Sequence, residues 1–141
     1  MSYLHEQLTA AVIKCFYEVY NELGYGFLEK VYETSMMIHF GECGLSATRQ
    51  LPIAVHYHGQ VVGNYAADIL VENSVLLEIK AVQHLVPEHE YQLINYLRAT
   101  EIEVGLLLNF GLRPEVRRKI FTNDRKPLGA IGALRKPKRE L

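Results

Sequence analysis

Cysteine is scarce in this chain. Only Cys15 and Cys43 occur among 141 residues, which excludes a fold built on disulfides and leads to the expectation of a reducing, cytoplasmic setting. Long apolar runs are missing too. None approaches the ~20 residues that a bilayer requires, so no membrane partner is expected. The opening stretch MSYLHEQLTAAVIK has no basic region followed by an apolar one, as a secretory signal would. There is no Walker loop, no G-x-G-x-x-G opening a helix after a strand, no H-E-x-x-H and no paired C-x-x-C. His56 and His58 on one strand, with His84 and His89 flanking a helix, therefore lack a zinc spacing, and the two cysteines read as buried, inert thiols.

What is present is ordinary globular material, 49% apolar and 22% charged. A chain of this length forms one domain and buries roughly 70% of the surface its unfolded form exposes. The net charge of −1 conceals an imbalance. Residues 1–112 carry 5 Lys/Arg against 13 Asp/Glu, while residues 113–141 carry 10 against 3. A basic end on an acidic body suits a polyanion, with Arg117-Arg118-Lys119, Arg125-Lys126 and the run from Arg135 to Arg139 as phosphate contacts; it equally suits a solvated tail.

Apolar spacings of three and four predict a helix over 3–23, broken by Gly24-Tyr25-Gly26, and a second over 27–42. The period then shortens. Strands are expected at 51–57, 61–71 and 75–80, with turns at His58-Gly59-Gln60 and Glu72-Asn73-Ser74. Pro87 opens a helix over 87–100, VGLLLN at 104–109 reads as a buried strand, and Arg117–Phe121 as a short edge strand. The fold class is α/β, an α+β mixed sheet with the fourth strand parallel to the third.

Glu78 and Lys80 interrupt an otherwise apolar strand, and residues two apart share a face. Asp68 is a third ionisable group, in the preceding strand. A two-residue turn would put Asp68 and Glu78 on opposite faces; a three-residue turn, Glu72-Asn73-Ser74, sets them opposite each other, with Cβ atoms about 4.5–5.5 Å apart. Two unpaired carboxylates at that range repel unless a divalent cation lies between them. On the odd-length turn, Asp68 and Glu78, with the Ile79 carbonyl, are hard oxygen ligands for Mg²⁺ or Mn²⁺, and Lys80 can hold an attacking water. A surface salt bridge would also account for Glu78 and Lys80. Glu29, three residues before Tyr32, can add a ligand or simply complement a helix dipole. Gln92 and Tyr96, four apart, point the same way from the next helix.

Asp68, nine residues, Glu78-Ile79-Lys80 and then Gln92-x-x-x-Tyr96 resemble the PD-(D/E)xK nuclease superfamily, the Q-x-x-x-Y helix being similar to that of its RecB-like branch. Gly26-Phe27-Leu28-Glu29-Lys30-Val31-Tyr32 resembles the signature of the GxxExxY proteins grouped there, and the resemblance spans roughly residues 5–121. Ala67 stands where proline often precedes the aspartate. The resemblance implies a restriction-endonuclease-like α-β-β-β-α-β core with an extra N-terminal helix. Such a domain would occupy 1–124, followed by a basic tail at 125–141. Asp68, Glu78 and Glu29 would be metal-binding acids, Lys80 the catalytic lysine, and Gln92, Tyr96, Gly26 and Tyr32 supporting residues. The expected activity is Mg²⁺- or Mn²⁺-dependent hydrolysis of nucleic acid, DNA foremost, by a homodimer or within a larger complex. A non-catalytic nucleic-acid-binding or interaction module on the same fold is the alternative.

Overall fold

The computed structural model of the chain describes residues 5–126. Two helices lead, α1 (Glu6–Leu23) and α2 (Glu29–Glu42). A meander follows, of β1 (Ala47–Tyr57), β2 (Gln60–Val71) and β3 (Val75–Lys80). Helix α3 (Pro87–Arg98) crosses over to β4 (Val104–Phe110), and β5 (Pro114–Ile120) closes the sheet before a single 3-10 turn at Asn123–Arg125. The five strands lie in sequence order; β3 and β4 are parallel and every other pair is antiparallel. The mixed sheet and the α-β-β-β-α-β order are as expected.

The order of burial explains the layers. β3 and β4 sit in mid-sheet and read as near-continuous apolar runs because both of their faces are covered. One face packs under α1 and α2 through Phe16, Tyr32, Met36, Phe40, Leu77 and Phe110. Tyr32 stacks on Phe110 at 4.1 Å between ring centroids, and Phe16 meets Phe110 edge-on at 4.8 Å. The other face packs under α3 through Leu70, Leu76, Leu93, Leu97 and Leu107. Burying each such side chain contributes about 1.5–3 kcal/mol.

Strand limits differ from the expectation at the edges. β1 begins at Ala47 rather than 51, because the polar stretch before Pro52 still pairs with β2 although Gln50 adopts a positive φ of 52°. Pro52 is tolerated because β1 is an edge strand. β5 likewise starts early, at Pro114. α3 ends at Arg98, where the Thr100 hydroxyl donates to the Tyr96 carbonyl at 2.9 Å.

The basic region is partly spoken for. Arg117 and Lys119 face α3 and pair with Glu90, at 3.6 and 2.5 Å. Lys126 is buried and donates to the carbonyls of Thr100 and Ile102 at 2.9 and 2.8 Å. The run from Arg135 to Arg139 lies outside the described residues.

Candidate active site

The turn after β2 decides the site's geometry. Glu72 and Asn73 both adopt left-handed φ, 51° and 52°, and Ser74 N–H donates to the Val71 carbonyl at 2.9 Å. Val71 is thereby paired with Val75, the odd-length arrangement, and the ladder continues through Leu70–Leu76 to Ile69–Leu77. There it stops. β2 carries on beside β1 and β3 beside β4, so the two backbones part.

Asp68 and Glu78 stand at the fork, and their carboxylates take up two backbone amides, that of Ile79, beyond the last β2–β3 pair, and that of Asp68, at the position where Gln50 drops out of the β1–β2 register. Asp68 N–H donates to Glu78 Oε2 at 3.1 Å, and Ile79 N–H donates to Asp68 Oδ2 at 2.7 Å. Each carboxylate thus commits one oxygen to the backbone and keeps the other. The Ile79 carbonyl faces the same edge as its N–H, toward Asp68.

Electrostatics make this an unfavourable place for two negative charges. Burial, then the charge of Asp68, push Glu78 from its ordinary 4.5 up to about 8. Asp68 is also raised, first by burial and then by Glu33 and Glu29, although its bond from Ile79 opposes the shift. Glu78 is only 4% exposed. Without a counter-charge the pair keeps a proton near neutrality. A hard divalent cation could take that proton's place, and the two oxygens not held by the backbone, with the Ile79 carbonyl, are of the hard donor type that such an ion accepts.

Lys80 follows Glu78 on the same side of β3, and its Nζ donates to Gln92 Oε1 of α3 at 3.3 Å. Tyr96 lies one turn further along α3; burial, and next the charge of Glu78, raise its phenol to about 12, so it remains a neutral hydrogen-bond donor. Its ring lies 5.9 Å from that of Tyr65. Tyr65, Tyr91, Gln92, Tyr96 and Arg98 line an open cleft of about 470 Å³ between α3 and the projecting β1–β2 hairpin.

Asp68, Glu78, Ile79, Lys80, Gln92 and Tyr96 are therefore brought together. Glu29 stays exposed on the first turn of α2, near enough for its charge to act on both carboxylates. Gly26 and Tyr32 sit elsewhere. Tyr32 is fully buried; its hydroxyl donates to the Gly24 carbonyl at 2.7 Å and accepts from Phe27 N–H at 3.2 Å. It fastens the loop in which Gly26 adopts a φ of 116°, and so fixes where α2 starts.

That pattern of residues has a counterpart among known families. A family model described as the PD-(D/E)XK nuclease superfamily matches residues 6–119. The chain belongs to that superfamily. No curated protein and no solved structure matches it. Within the superfamily's frame, one acid stood outside the sequence reading. Glu33 is 8% exposed, bonds Arg49 Nε at 3.0 Å and Gln50 Nε2 at 3.1 Å, and acts on Asp68 more strongly than Glu29 does. Its spacing of four from Glu29, on the same helical side, was the available signal.

The thiols call for a correction. Cys15 is buried as expected, but Cys43 is exposed at the C-terminal cap of α2, since the helix ends there at the surface. Among the described residues the four histidines noted in the sequence form no metal cluster.

Proposed function

We propose that this chain is a divalent-metal-dependent nuclease that hydrolyses phosphodiester bonds in nucleic acid, with DNA as the first candidate, and that it falls in the GxxExxY branch of the PD-(D/E)XK superfamily. The reading is carried by one observation: two carboxylates share a fork in the sheet, each with an uncommitted oxygen, beside a lysine anchored on a glutamine. Asp68, Glu78 and the Ile79 carbonyl would hold Mg²⁺ or Mn²⁺, with Glu29 as a further acid at the rim. When bound, such an ion supplies charge neutralisation for phosphate and acidifies water.

The protein's own groups account for the remainder. Lys80, tied to Gln92, holds a water against the scissile phosphate and offers positive charge as the phosphorane forms. Tyr96 donates from a phenol that stays protonated throughout the working pH range. The cleft along α3 supports a polymeric substrate, because the exposed Tyr65 and Tyr91 present rings for base stacking, worth about 1–3 kcal/mol each, and Arg98 presents charge. A homodimer or a partner chain would widen a footprint that one 16.1 kDa domain leaves small.

The test offers single-stranded, double-stranded and branched DNA, and RNA, to the full chain with Mn²⁺ or Mg²⁺, beside Lys80→Ala. Metal-dependent cleavage that Lys80→Ala lowers by ~10²–10⁴-fold is the expected result. Equal products from both proteins would overturn the reading.

A further inference from the structure

The helical layer holds a second constellation, remote in chemistry from the carboxylate fork. Cys15 and Glu18 lie one turn apart on α1, and His39 and Cys43 one turn apart at the end of α2, and one ligand atom from each falls within 4.8 Å of all the others. Two thiols, an imidazole and a carboxylate, drawn from two helices that are not adjacent at those points in sequence, are the donor types of a zinc site.

We propose that Cys15, Glu18, His39 and Cys43 bind one Zn²⁺ ion, clamping the middle of α1 to the C-terminal end of α2. The spacing fits. A tetrahedral ion with Zn–S bonds of about 2.3 Å separates its two sulfurs by about 3.8 Å. Sγ of Cys15 and Sγ of Cys43 are 3.8 Å apart. Cys43 Sγ lies 3.9 Å from His39 Nε2, within a few tenths of an ångström of a tetrahedral S···N edge. His39 Nε2 and Glu18 Oε1 are 2.7 Å apart as a hydrogen bond, and would open by about half an ångström to become two ligands.

The surroundings are arranged as they are around metal-bound histidines. A ligating imidazole usually gives its other nitrogen to a carboxylate. His39 Nδ1 lies 3.4 Å from Glu42 Oε1. Lys14 Nζ holds the far oxygen of Glu18 at 3.0 Å, which turns Oε1 inward. On binding, the ion replaces the two thiol protons, which leave to solvent. Thiolate ligands select Zn²⁺ over Mg²⁺, so the two centres need not compete for one ion. The inference stands independently of the nuclease reading.

The experiment titrates the full chain, reduced and metal-free, with Co²⁺ as a spectroscopic probe. One equivalent should raise a thiolate-to-cobalt charge-transfer band and the intense d–d bands of tetrahedral Co²⁺, and Zn²⁺ should bleach both. Glu78→Gln should retain the spectrum; His39→Ala and Cys43→Ser should lose it, and Glu42→Gln should weaken Zn²⁺ affinity by about tenfold. Cys43→Ser alters an exposed cap position, so its circular dichroism should match the wild type and keep the test meaningful. A folded, reduced wild type that develops no such band overturns the proposal, as does a band that survives Cys43→Ser.

Discussion

The fork between β2 and β3 and the cluster between α1 and α2 are two ways of holding ionisable groups together, and they differ in what the backbone contributes. At the fork, the sheet itself runs out of partners, and carboxylates take up two amides. In the helical cluster the backbone is already satisfied within each helix, and the side chains meet one another and two flanking charges, Lys14 and Glu42. Both places hold protons at neutral pH when no cation is present: burial, then Asp68, lift Glu78 to about 8, and burial, then the bond to Cys43, lift Cys15 to about 12. The lesson is that one chain can pair hard oxygens with a strand architecture and soft sulfurs with a helical one.

The sharpest way to break that comparison is at the fork. Asp68→Asn or Glu78→Gln is expected to lower metal-dependent cleavage by at least about 10²-fold, measured as initial rates on the preferred substrate. Near neutral pH the metal-free protein should lose little stability from Glu78→Gln, because a neutral amide, whose oxygen can still accept from Asp68 N–H, replaces a carboxyl group that already holds its proton there. A change that left cleavage intact would show the fork to be purely structural.

A pH titration sharpens the same contrast. Folded Glu78 takes its proton at about 8, and its ordinary value is 4.5. Between those values the native state binds more protons than the unfolded one, so stability falls as pH rises. The contribution is whole below 4.5 and gone above 8. Urea midpoints of metal-free protein should decline across this window with a slope of up to about 1.4 kcal/mol per pH unit, and Glu78→Gln should flatten it. Saturating Mn²⁺ should remove most of the slope as well.

Smaller effects test the supports. Tyr32→Phe deletes the hydroxyl that joins Gly24 to Phe27 and should cost about 1–2 kcal/mol in chemical denaturation, with a fall in activity because the start of α2 loosens. Lys14→Ala, on an exposed ion pair, should leave the urea midpoint of the Zn²⁺-free protein essentially unchanged. A larger loss that appears only with Zn²⁺ present would tie Lys14 to the helical cluster through Glu18.

Much of the fold was legible because its signals are local. The change from spacings of three and four to an apolar alternation separated α1 and α2 from the strands, and Pro87 marked where α3 starts. Asp68, Glu78 and Lys80 stood out because charge inside an apolar strand is costly and so conspicuous. The odd turn at Glu72–Ser74 then followed from requiring the acids to meet. What escaped was what only packing creates. Glu33 looks like any helical acid until Arg49 and Gln50 close over it. Arg117 and Lys119 looked free for phosphate until α3 brought Glu90 alongside. Cys15, Glu18, His39 and Cys43 form two ordinary one-turn spacings; nothing in either says that the two helices lie side by side at that level.

The hydrogen bonds at the fork have one more implication. The amides of Asp68 and Ile79 are capped by carboxylate oxygens, so their protection from solvent deuterium depends on the charge those oxygens carry and on what else holds them. These two backbone protons are thus built-in reporters, and a magnetic-resonance spectrum of the resting protein can follow ion loading there before any substrate is found.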